Sequence, residues 1–171
     1  LVAILFPAVN TALLRGRVTQ TVNNGRNIYI LLFAQELNNP LQLQSSATAE
    51  WPNSSGTPTY ADSSAYFETL VTNENFNLTF AFFSAPGMNV AADGTAFKAN
   101  QGTLYNCWCI TEDVTDQLKP GTPVLFTQNF NVGANISLLA GTDALMDSAP
   151  PFGNRAGVVV SRGGSAFSLD R

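Results

Sequence analysis

Histidine is missing from this chain of 171 residues. Its absence removes the usual general base near neutral pH, the commonest zinc ligand, and every Ser-His-Asp or Cys-His pairing. Catalysis would have to run on carboxylates, lysine or a cofactor, and neither an enzymatic activity nor a cofactor is expected. Charge is scarce as well: 12% of the residues are charged and 45% hydrophobic, with a net charge of −4. Polarity comes from Asn, Ser, Thr and Gln instead. Of eight Lys and Arg residues, three (Arg15, Arg17 and Arg26) fall within the first 26 positions. They form no clustered basic footprint, so no nucleic-acid partner is expected, although cations beside an apolar start could face lipid headgroups. Only two cysteines occur, Cys107 and Cys109, in Asn-Cys-Trp-Cys-Ile. Two thiolates without histidine cannot complete a metal site, and a C-x-C disulfide would close a strained ring. They read as small apolar residues on one face of a strand, with Trp108 facing the other way, and a redox role is the alternative. No Gly-Lys-Ser/Thr follows a glycine, so nucleotide binding has no support.

What is present begins at the N-terminus. Leu1, Val2, Ala3, Ile4, Leu5 and Phe6 run into Pro7, followed by Ala8-Val9-Asn10-Thr11-Ala12-Leu13-Leu14. This run is too short to span a bilayer and reads as the remainder of a longer one, with about 15 further apolar residues expected upstream. From Ala8 to Asn38 the pattern is that of an amphipathic helix. Val18, Val22, Gly25, Tyr29 and Leu32 step by four, three, four and three along one stripe, flanked by Phe33 and Leu37. Arg15, Arg17, Gln20, Asn24 and Arg26 mostly take the other side. Asn38-Asn39-Pro40 ends the helix, because the residue before proline is pushed out of helical geometry. A helix over residues 1–38 would measure about 57 Å and should project beyond a compact body.

The stretch Leu1-Val2-Ala3-Ile4-Leu5-Phe6-Pro7-Ala8-Val9 resembles the second half of the N-terminal segment of type IV pilins and type II secretion pseudopilins. In that family an apolar helix runs into a proline and continues as an amphipathic helix laid on a small sheet. The C-terminal stretch from Pro150-Pro151-Phe152-Gly153 through Val158-Val159-Val160 to Gly163-Gly164 is similar to the ends of pseudopilin-like proteins. The resemblance implies a filament subunit that polymerises with itself. Leu1, Val2, Ile4, Leu5, Phe6, Pro7, Val9 and Leu13 would pack in the filament, and Val18, Val22, Tyr29, Leu32 and Phe33 would form the helix-to-sheet core. It also implies membrane lipid, an inner-membrane assembly platform with its ATPase, and a prepilin peptidase as partners. The subunit would sit in the inner membrane with its head in the periplasm before assembly, and outside the cell if built into a pilus.

The remainder reads as a loop-rich head. Residues 40–62 are punctuated by Pro40, Pro52, Asn53-Ser54-Ser55-Gly56 and Pro58, with Leu41, Leu43 and Trp51 dipping back to the core. Ser63-Ser64 should cap a short helix, and Phe76–Phe82 alternates like a strand, with a loop crossing the core as the alternative. Pro86-Gly87 and Asp93-Gly94 mark a connecting loop. Strands are expected over 104–111, 124–130, 157–161 and 166–169, the last two joined by the hairpin turn Arg162-Gly163-Gly164-Ser165. The expected fold is α+β: an N-terminal helix packed on a small antiparallel sheet, in one domain made of residues 1–38 and the head 39–171.

Two acidic groups are candidate sites. Asp143 and Asp147, with Gly141-Thr142 and Ser148, could offer oxygens to Ca²⁺, but their spacing is not that of an EF-hand, and solvated loop acids are the plainer reading. Glu112, Asp113 and Asp116 form a second cluster, in which a carboxylate pair for glycoside chemistry would need to face a cleft, and no enzymatic use of it is expected. A membrane-anchored ligand-binding module is the competing function, with Trp51, Tyr60 and the 86–103 loop as its first candidate contacts.

Overall fold

The computed structural model describes residues 2–38, 51–52, 60–72, 77–99, 105–115, 117–130 and 146–170. Helix α1 (Val2–Asn38) contains Pro7 within its first turns. Threonine hydroxyls along it close onto the carbonyl four residues back, Thr11 onto Pro7, Thr19 onto Arg15 and Thr21 onto Arg17, which satisfies their polarity inside a helix. Its described residues run to Asn38, and the expected stop at Asn39-Pro40 lies outside the described residues.

Four strands form one antiparallel sheet in the order β1 (Trp108–Ile110), β2 (Pro123–Thr127), β3 (Ala156–Ser161) and β4 (Ala166–Asp170). The architecture is α+β. Register places Trp108 opposite Thr127 and Ile110 opposite Leu125, while Leu125 pairs with Val160 and Val160 with Ala166. These residues share the face that meets α1. Cys109, Phe126, Val159 and Phe167 occupy the other face. Between β3 and β4 the chain turns through Gly164 at φ +79°, with Gly164 N–H donating to Ser161 O at 2.9 Å. Only glycine adopts that conformation at little cost, and a Cβ there would also stand 3.0 Å from the Tyr29 ring.

The core lies between α1 and the sheet and extends beneath a second layer of short helices. Ile28, Leu32, Trp108, Leu125, Val158 and Val160 are wholly buried. Helix α2 (Ser63–Thr72) adds Tyr66, Phe67 and Leu70. Its cap is Asp62, whose Oδ1 accepts from Ala65 N–H at 2.8 Å, and not the Ser63-Ser64 pair expected from sequence. Those serines tie the helix to β1 instead: Ser63 Oγ accepts from Ile110 N–H and Ser64 Oγ from Asn106 Nδ2.

Two further expectations are corrected. Within Phe76–Phe82 the described residues form no strand, and Phe80–Phe83 is a 3₁₀ turn. Its Phe83 stacks on Phe67 at 4.7 Å, and Phe80 packs tilted against Phe97 at 4.8 Å. Phe97 belongs to α3 (Gly94–Ala99), a helix inside the segment expected to be a loop, started by Asp93 Oδ1 accepting from Ala96 N–H at 2.8 Å. Aromatic packing, not ladder pairing, therefore sets the backbone here. The expected strands at 104–111 and 124–130 are shorter than their sequence limits, while those at 157–161 and 166–169 each extend by one residue.

Candidate assembly surface

Helix α1 changes character along its length. From Val18 onward one face is docked: Val18, Thr21, Ile28, Tyr29, Leu32 and Glu36 are buried, and Val22 and Phe33 are half-buried. Of the residues expected along the stripe, Val18, Gly25, Tyr29 and Leu32 are buried and Val22 and Phe33 half-buried, and Ile28 and Thr21 are buried beside them without having been expected. Both lie within a turn of Gly25, where the sequence stripe held only a glycine. The reason for that glycine is steric. A Cβ at Gly25 would stand 2.5 Å from Trp108 Cη2 and 3.0 Å from Val160 Cγ2, so the indole of β1 fills the notch that the missing side chain leaves.

The top of the docked face is pinned by polar contacts. Arg162 Nη2 lies 2.6 Å from Glu36 Oε1, Trp51 Nε1 donates to Glu36 Oε2 at 3.1 Å, and Tyr29 Oη donates to Arg162 O. The Arg162 guanidinium also sits 5.6 Å from the centre of the Phe33 ring, within cation–π range. Trp51 is therefore buried as a core residue and offers no exposed ligand contact, and Tyr60 is half-buried against Tyr66.

Towards the N-terminus the helix is uncovered. Residues 7–13 are all exposed, with Val9 at 52% and Leu13 at 56%. Val9 and Leu13 are four residues apart and so lie one above the other on a single side. Leu14 alone among residues 7–17 is partly buried against the core. Val2, Ile4, Leu5 and Phe6 belong to the helix; Leu1 lies outside the described residues. Among the described residues no helix is long and apolar enough to cross a membrane.

The remaining candidates take plainer roles. Burial pushes the Cys107 thiol well above its usual range and the Cys109 thiol up to about 11, so both are protonated and unreactive near neutral pH. Asp147 Oδ1 accepts from Ala149 N–H at 2.7 Å, and Asp143 and Asp116 lie outside the described residues. Among the described residues no group of three metal-ligating side chains forms. Glu112 and Asp113 are exposed on the turn after β1. No family model, curated protein or solved structure matches this chain.

Proposed function

We propose that this protein is a structural subunit of a filament, of the type IV pilin or type II secretion pseudopilin kind, which polymerises through α1. The observation that carries the reading is the contrast within one helix: the part beyond Val18 is buried on the sheet, while residues 7–13 stand clear of the body and present Val9 and Leu13. A soluble body gains nothing from an apolar pair held out on a helix, whereas a bundle of such helices buries each pair against its neighbours. Repeating that contact from copy to copy makes an open, heterologous assembly. Residence in the inner membrane, a periplasmic head, the assembly platform and the prepilin peptidase are the finer part of the proposal and rest on the resemblance of the N-terminal segment.

The test uses full-length protein in its own cells. Val9→Asp combined with Leu13→Asp should abolish its recovery in the sheared-filament fraction, because each buried carboxylate would be unpaired. The purified variant should keep its melting temperature, since neither side chain touches the core. Wild-type protein that never enters that fraction would defeat the proposal, as would a double variant that assembles normally.

A further inference from the structure

A cleft of about 540 Å³ opens between α1, the 86–89 turn and the 148–155 segment. Each wall carries one arginine. On the first, the Arg17 guanidinium lies over Gly87, with Cζ and Nη1 both 3.1 Å from where a Cβ would stand. Gly87 also has φ +94°, so close approach and backbone conformation both call for glycine. The turn is closed by Met88 N–H donating to Ala85 O at 2.9 Å. On the second wall, Arg155 ends a turn fastened from below. Buried Asn129 donates through Nδ2 to Gly153 O at 2.6 Å and Ala156 O at 2.7 Å, and Phe152 is buried beneath it.

Charge marks this cleft out. Both ion pairs among the described residues use other cations, Lys98 with Glu68 and Arg162 with Glu36. Arg17 and Arg155 have no carboxylate partner among the described residues, and no acid lines the cleft there. In a chain of net charge −4 with eight Lys and Arg residues, two arginines with no ion pair among the described residues thus line one concavity. The half-buried Met88 and Pro151 add apolar surface to the same lining. The volume falls within the roughly 300–1,000 Å³ range of small-molecule sites.

We infer that this cleft binds a small organic dicarboxylate with an apolar spacer. Each guanidinium offers a planar fork of N–H donors that matches a carboxylate, and two positive charges call for two negative ones. The apolar part of the lining favours a hydrocarbon link over a bare inorganic anion. The inference does not depend on filament assembly, because Val9 and Leu13 lie outside the cleft lining.

The experiment titrates the full chain, solubilised in mild detergent, with glutarate, inorganic phosphate and the uncharged diamide glutaramide, following backbone amide signals. Glutarate should shift Gly87, Gly153 and Asn154 saturably; phosphate should bind at least about tenfold more weakly and glutaramide not at all. Arg17→Gln and Arg155→Gln should each weaken glutarate by about tenfold or more without moving the melting temperature, and Arg26→Gln should leave it unchanged. A short peptide ending in glutamate presents the same two carboxylates from a protein source. Tighter binding of that peptide than of glutarate supports the site with a protein-borne ligand, and weaker binding supports it with a free organic acid. Phosphate binding as well as glutarate, shifts that survive both arginine substitutions, or no saturable shift with glutarate would each overturn the inference.

Discussion

Replacing Gly25 by alanine inserts a methyl group where α1 crosses β1. In an exposed helix interior the same change stabilises by about 1 kcal/mol, because alanine loses less backbone freedom. At Gly25 the new Cβ would stand 2.5 Å from Trp108 Cη2, with Trp108 Cζ2 and Val160 Cγ2 each at 3.0 Å. Ordinary carbon contacts lie at about 3.5–4.0 Å, so the indole edge must retreat by roughly 1 Å. Trp108 is 0% exposed and its ring is rigid, which puts the cost at the upper end of the overpacking range, about 3 kcal/mol. The net effect is a loss of about 2 kcal/mol, or a melting temperature lower by about 4–8 °C for a chain of this size. Gly16, on the same helix, has nothing within 4 Å of its Cβ position. There alanine should give its full helical gain, seen as a higher melting temperature or, if that turn opens locally, as greater helicity in far-ultraviolet circular dichroism. Thermal and urea unfolding of the detergent-solubilised variants measure both. Trp108→Phe, which shortens the ring, should recover part of the loss in the Gly25→Ala background and show a coupling between the two sites. If Gly25→Ala stabilises as Gly16→Ala does, or if its effect simply adds to that of Trp108→Phe, the notch is not what holds α1 on the sheet.

The Glu36–Arg162 pair has side chains only 9% and 10% exposed, so Glu36→Ala should cost about 3 kcal/mol by stranding the guanidinium, whereas Glu36→Met with Arg162→Met should recover most of it; urea midpoints that fall equally for the single and double variants would contradict this. Burial pushes Cys109 up to about 11, against about 8.5 for a free thiol. Reaction with an aromatic disulfide at pH 8 should therefore be about 20-fold slower than for an unfolded thiol, the roughly 200-fold loss of thiolate being partly offset by its greater nucleophilicity. The folded state keeps that proton where the unfolded chain releases it. The stability contributed is therefore full below about pH 8.5 and declines towards pH 11, and Cys109→Ala should lessen this decline in melts run across that range, leaving the part that buried Cys107 supplies.

Where local chemistry decides the backbone, the sequence was enough. The hairpin of β3 and β4 was legible because Gly163-Gly164 permits the positive φ that its turn uses, and the valines flank it at strand spacing. The 77–99 region was not. Phe76, Leu78, Phe80 and Phe82 alternate like a strand, but Phe80 and Phe83 are held by Phe97 and Phe67, from helices distant in sequence. Asp93-Gly94 looked like a turn because an aspartate that caps a helix is the same residue type that opens a loop. The Arg17–Arg155 cleft was invisible for a different reason. Its arginines are far apart in sequence, and only the folded 86–89 and 148–155 turns bring them to one concavity.

Exposure of apolar residues is not by itself evidence of assembly, and α1 carries its own comparison. Ile30 is 51% exposed on the docked half, nearly as much as Val9 and Leu13. Scattered surface apolar residues are normal in monomers, so the filament reading must separate Ile30 from the other two. It does so by placement: Val9 and Leu13 share one side of an uncovered segment, while Ile30 lies on the outer face of a segment already packed on the sheet. Single cysteines at Val9, Leu13 and Ile30, introduced with Cys107 and Cys109 left in their protected state, should react alike with a maleimide in detergent-dispersed protein. In filaments, Val9→Cys and Leu13→Cys should become protected and Ile30→Cys should remain open. Equal labelling at all three positions in filaments would show that subunits meet through some surface other than this helix, and protection of Ile30→Cys alone would move the contact to the head.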